Sequence, residues 1–184
     1  MFVKLAIIAL ALAVLPACGH GSAVATTVPV AAASQGAGTY SDPAGWTVDV
    51  PPGWHVLPFE TTDGGATSKG ALLSNVELPP PSVKPGYPIQ TNSKDLPDDG
   101  IALIIGIDDD PSDAQQPPKS PPQPPLTLDM FAEGSALAGS PTLDLLWFSG
   151  NGQTFLATVK SGPTAGTADR AKLQEAVASL RFES

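Results

Sequence analysis

Three stretches of this chain alternate hydrophobic and polar residues, and they set its frame. Over Trp46–Val50, Trp46, Val48 and Val50 alternate with Thr47 and Asp49, the period of a strand with one buried face. Turns bracket that strand. Asp42-Pro43-Ala44-Gly45 precedes it and Pro51-Pro52-Gly53 follows, Pro presetting φ and Gly accepting positive φ. Trp54–Phe59 predicts a second strand, closed by Pro58 and then by Thr61-Thr62-Asp63-Gly64-Gly65, and Ala71–Val76 a short third. The clearest hairpin joins Leu143–Phe148 to Thr154–Lys160 through Gly150-Asn151-Gly152. In its second arm Phe155, Ala157 and Val159 take one face, while Thr154, Leu156, Thr158 and Lys160 take the other.

Elsewhere the pattern changes. Ile101–Ile107 is a nearly continuous apolar run between Asp98-Asp99-Gly100 and Asp108-Asp109-Asp110, which predicts a central strand buried on both faces. Two stretches have helical spacing. Leu128, Phe131 and Ala132 follow a Thr127 N-cap and stop before Gly139 and Pro141; Leu173, Ala176, Val177 and Leu180 follow a Thr167 cap, with Asp169, Arg170, Lys172 and Glu175 outward. Prolines interrupt every possible element in Glu77–Gly100, predicting a long irregular excursion. Pro111–Pro125 holds seven prolines and should be extended, solvated polyproline II.

Tyr40–Trp54, an aromatic, an Asp-Pro, a short alternating strand and a Pro-x-Gly-Trp turn, resembles the opening of PsbP-like domains. Ser179-Leu180-Arg181-Phe182 is similar to the way those domains finish, a terminal helix running into a short strand. The resemblance implies an α+β fold of α/β/α layers over residues 39–184, an antiparallel β-sheet flanked by helices. It also implies an accessory or binding role without catalysis, a warrant that rests on fold alone.

The N-terminal segment adds a location. Met1–Lys4 is a short positive start and Leu5–Leu15 is continuously apolar, too short for the roughly 20 residues of a membrane-spanning helix and right for a signal peptide over residues 1–17. Leu15-Pro16-Ala17-Cys18 resembles the bacterial lipobox, which implies acylation of Cys18 by palmitate-type chains and cleavage ahead of it. Proline at the second position departs from the usual small residue. An ordinary secretory cut that leaves a free thiol is the alternative. Residues 18–38 carry no charge and no period, a tether with a reach of about 25 Å. A lipid-anchored protein on the extracytoplasmic face of the cell membrane is the expectation. With one cysteine, no internal disulfide can form.

Nine basic and eighteen acidic side chains give a net charge of −9, and −10 without residues 1–17, which hold one lysine and no acid. So acidic a surface excludes nucleic acid as a partner class. Bases for catalysis are scarce: His20 lies in the tether, and His55 is out of phase with Trp54 and Val56 and lacks a placed nucleophile. No enzyme activity and no cofactor are expected. The Asp108–Asp113 run offers oxygen ligands without EF-hand spacing, so it reads as a solvated turn or a weak calcium site, and no metal is assigned.

Two candidate binding surfaces remain. Pro117, Pro118, Pro121 and Pro122 could form a preordered recognition arm, or an extended surface loop. Trp46, Trp54, Trp147 and Phe155 could line a ligand cleft, or build the core. The expected function is a non-catalytic, membrane-anchored binding or accessory module for a protein or envelope component. The alternative is a small-molecule or lipid carrier with an apolar cleft between the sheet and the helix after Thr127.

Overall fold

The computed structural model describes residues 37–63, 66–81, 89, 91–92, 94–108, 117–133 and 142–183. The expected signal peptide, Cys18, residues 18–36 and residues 109–116, which hold most of the candidate calcium run, lie outside them. The described residues form strands β1 (Gly38–Ser41), β2 (Trp46–Val50), β3 (His55–Asp63), β4 (Ala66–Ser74), β5 (Ile101–Asp108), β6 (Ala132–Glu133), β7 (Thr142–Gly150), β8 (Gln153–Ser161) and β9 (Arg181–Phe182), with one α-helix, α1 (Thr167–Ser179). The fold is α+β with every strand pairing antiparallel. A three-stranded sheet runs β1-β2-β9 and a six-stranded sheet runs β3-β4-β5-β8-β7-β6.

The small sheet and α1 pack on one face of the large sheet. Trp46, Val48 and Val50 of β2 and Leu173, Ala176 and Val177 of α1 meet Val56, Leu73, Leu103, Ile105, Phe148, Phe155 and Val159 in a single core. The helical spacing of Leu173, Ala176 and Val177 comes out as read from the sequence, and in β2 Trp46, Val48 and Val50 are buried as read, with Thr47 buried beside them. The two ends of the domain lie side by side, Trp46 opposite Phe182 in register. Phe182 reaches the β7–β8 hairpin, its ring 5.3 Å from Phe155 and 6.3 Å from Phe148 between centroids. At the hairpin tip Asn151 (φ 50°) and Gly152 (φ 73°) take the left-handed region that a two-residue primed turn demands. Asn151 Nδ2 then donates to the carbonyls of Gly45 and Glu183, fastening the tip to the small sheet.

On the opposite face a second core holds Phe59, Leu72, Ala102 and Ile104 beneath Leu78, Ile89 and Leu96 of the excursion after β4. No described residue of that excursion is helix or strand, as its prolines predict. Asn75 pins both its ends, accepting from Ile101 N–H at 2.7 Å and donating to the Asp99 carbonyl at 3.1 Å. Ile101–Ile105 is accordingly buried on both faces, which explains the continuous apolar run.

The sequence reading needs four corrections. The helix expected from Thr127 is a single 3-10 turn, Leu128–Met130, and Thr127 makes no side-chain cap bond. Gln174 Oε1 of α1 accepts from Leu128 N–H instead, Phe131 turns extended, and Ala132–Glu133 pairs with the edge of β7. Pairing satisfies backbone groups that the edge of β7 would otherwise leave open. Its predicted stop at Gly139 and Pro141 lies outside the described residues. Gly166, not Thr167, caps α1. The third strand begins at Ala66 and ends at Ser74, because it pairs along the whole of β3. Finally, the second strand begins at His55 and runs on through Pro58, Thr61 and Thr62 to Asp63, past its expected stop. Leu156, Thr158 and Lys160, on the other face of β8, are buried too.

Lys160 Nζ donates to the Thr91 carbonyl at 2.7 Å, so the excursion covers that face and tolerates a buried cation by hydrogen-bonding it. Burial pushes the Lys160 ammonium below its usual range, partly offset by the Asp95 carboxylate.

Candidate functional site

The small sheet covers only part of the face on which it packs. Beyond its first turn the large sheet is left open, and a notch of about 280 Å³ forms there. Tyr40, Asp42, Pro43 and Ala44 make one wall; Pro58, Phe59 and Glu60 of β3, Lys69 and Gly70 of β4 and Ile107 of β5 make the floor, with Gln153 of β8 at the rim.

The wall owes its shape to Asp42. Its carbonyl accepts from Gly45 N–H at 2.9 Å and its Oδ1 from Ala44 N–H at 2.8 Å, an Asx turn, while Gly45 takes φ 84° to close it. Tyr40 OH donates to Asp42 Oδ2 at 3.1 Å, and its ring tilts against Trp46 with centroids 5.6 Å apart. Burial chiefly, then the Asp42 charge and this hydrogen bond, hold the Tyr40 phenol well above its ordinary range. Tyr40 is therefore a neutral hydroxyl at any ordinary pH.

The floor owes its shape to register. Glu60 pairs with Lys69 across β3–β4, and Lys69 with Ile107 across β4–β5, so the three stand in one row on one face. Gly70 lets the strands close up beside them: a Cβ there would lie 2.0 Å from the Ile105 carbonyl oxygen. Lys172 pairs with Asp169 at 3.5 Å and Arg181 with Asp49 at 3.3 Å, and neither ion pair involves the floor. The notch thus offers an anionic and a cationic side chain over an apolar floor beside a fixed hydroxyl and carboxylate.

The residues singled out from the sequence fall elsewhere. Trp46, Trp54 and Phe155 are buried together in the main core. Trp147 is half-buried on the opposite face, across from Leu156, so the four do not line one cleft. Pro117, Pro121 and Pro122 are half-buried and Pro118 is exposed. The segment runs along the hairpin, with Ser149 N–H donating to the Pro122 carbonyl at 2.8 Å and Ser149 Oγ to that of Pro121 at 3.3 Å. Its described part is docked on its own domain.

Between the sheet, Leu126, Phe131 and α1, where the carrier's cleft was expected, remains a void of about 10 Å³, room for one water at most. His55 is half-buried opposite Ser74, on the face away from Val56, as its phase indicates. No group of three or more His, Cys, Asp or Glu among the described residues is arranged to hold a metal ion. No helix among them is long and apolar enough to cross a membrane. Glu60 and Lys69 went unnoticed because each is an ordinary polar position on its own strand; only the β3–β4 register joins them.

Comparison of the chain with family profiles, with characterised proteins and with solved structures finds no match.

Proposed function

We propose that this chain is an exported lipoprotein, anchored through acylated Cys18 on the extracytoplasmic face of the membrane. Its PsbP-like domain acts as a non-catalytic binding or accessory module for a protein or envelope component. The single observation that carries the binding role is the notch beside the Asp42–Gly45 turn that follows β1. It is concave and mixes apolar and charged lining. Two features support the finer reading of the fold. The opening strand with its Pro51-Pro52-Gly53 turn and the terminal helix with its closing strand carried the resemblance, and they pair in one small sheet. Two acyl chains on one thiol give stable membrane attachment by the two-signal rule.

Labelling cells with radioactive palmitate tests the anchor. Wild type should incorporate label and Cys18→Ala should not, leaving uncleaved precursor instead. Equal labelling of the two would refute the anchor.

A further inference from the structure

We propose that the notch holds a compact zwitterion of the amino-acid class, an ammonium and a carboxylate on one carbon that also carries an apolar side group. The proposal rests on the reading of the notch as the recognition site of a binding module.

Size comes first. At about 280 Å³ the notch sits at the lower end of small-molecule sites, which suits a small zwitterionic group, free or borne on a larger envelope component, rather than a lipid chain or a folded segment. Charge comes next. Register sets Glu60 and Lys69 directly opposite, about 5 Å apart at Cβ. Both are exposed to the notch, and neither has an ion-pair or hydrogen-bond partner among the described residues through its side chain. A ligand with one charge would satisfy one of these poles and be repelled by the other. A ligand whose two charges lie a few ångströms apart satisfies both, its carboxylate on Lys69 and its ammonium on Glu60.

The wall favours the same polarity. Asp42 Oδ2 is already oriented by the Tyr40 hydroxyl, which stays protonated and whose oxygen keeps a lone pair for an ammonium N–H. Pro58 and Ile107 supply the apolar floor for the side group.

Calorimetric titration of the full-length protein with L-leucine and L-phenylalanine tests this, with N-acetyl-L-leucine and L-leucinamide as analogues lacking one charge each. Saturable heat is expected from at least one amino acid. Each analogue should bind about tenfold or more weakly, the size of one charge-assisted hydrogen bond exchanged for a neutral one. Lys69→Met and Glu60→Gln should each weaken amino-acid binding by a similar factor while their thermal unfolding matches wild type. No heat from either amino acid at about 10 mM, beyond the weakest specific affinities, would overturn the proposal. So would equal binding by the single-charge analogues or unchanged binding by the two variants. A photocrosslinker at Gln153 reports on the module itself: a dominant adduct there, with no amino-acid heat, would sink the zwitterion and leave the module standing.

Discussion

Gly70→Ala should damage this fold more than its single methyl suggests. The added Cβ would stand 2.0 Å from the Ile105 carbonyl oxygen, 2.6 Å from Gly106 Cα and 2.9 Å from the Ile105 carbonyl carbon, all backbone of the neighbouring strand. Backbone cannot rotate away as a side chain does, so β4 and β5 must part by more than an ångström. Both strands are internal to the six-stranded sheet, so their separation is passed on to β3 and β8. Loosening two ladder bonds at about 1 kcal/mol each, with one buried backbone group left unsatisfied at about 1–3 kcal/mol, gives a loss of about 3–5 kcal/mol. For a domain of this size that lowers Tm by roughly 10–20 °C. Gly38→Ala is the control, because a Cβ there meets nothing within 4 Å, and its effect should stay within about 0.5 kcal/mol. Urea unfolding of the three proteins, followed by tryptophan fluorescence, decides the matter. A Gly70→Ala protein within about 1 kcal/mol of wild type would refute the close approach of β4 and β5.

Other changes test other parts. Leu103→Ala, at a fully buried position on β5, should cost about 2–5 kcal/mol in the same urea assay. Lys160→Met leaves the Thr91 carbonyl without its charged donor, so limited proteolysis should cut residues 75–100 faster than in wild type, with about 1.5–3 kcal/mol of stability lost. Tyr40 carries a pH dependence. Its folded pKa is raised, so its contribution is complete below the ordinary phenol value of 10.0 and declines as pH rises past it. Tyr40→Phe should therefore lose less stability than wild type between about pH 9 and 11 in parallel urea titrations. Equal slopes would contradict the buried hydroxyl.

Much of the frame was legible because local chemistry and tertiary packing agree there. The β2 alternation, the Asn151-Gly152 turn and the Leu173, Ala176 and Val177 stripe are each set by a short-range rule and then buried by a partner of matching shape. Where the reading failed, a distant segment decided. Leu128–Ala132 has helical spacing, yet the open edge of β7 and the Gln174 side chain draw it into a turn and a strand. The burial of Lys160 was not legible from its alternation, because the proline-broken excursion that lies over it is 69 positions away. The notch was invisible for the same reason. Tyr40, Glu60, Lys69 and Ile107 are scattered over almost seventy positions, and only register and the Asp42 turn bring them together. Of the four aromatic residues that looked most like a binding surface, Trp46, Trp54 and Phe155 instead build the core, where large rings bury the most area.

One measurement reaches the central claim, an anchored module that binds through the notch. A photocrosslinking amino acid is placed at Gln153 on the rim, or at exposed Ala171 on α1 as a control, in intact cells carrying the full-length protein, and adducts in the membrane fraction are read by mass spectrometry. One dominant adduct at Gln153, absent at Ala171 and lost in Cys18→Ala, is the result expected. The same adducts from both positions, none at Gln153, or a Gln153 adduct untouched by loss of Cys18 would contradict it.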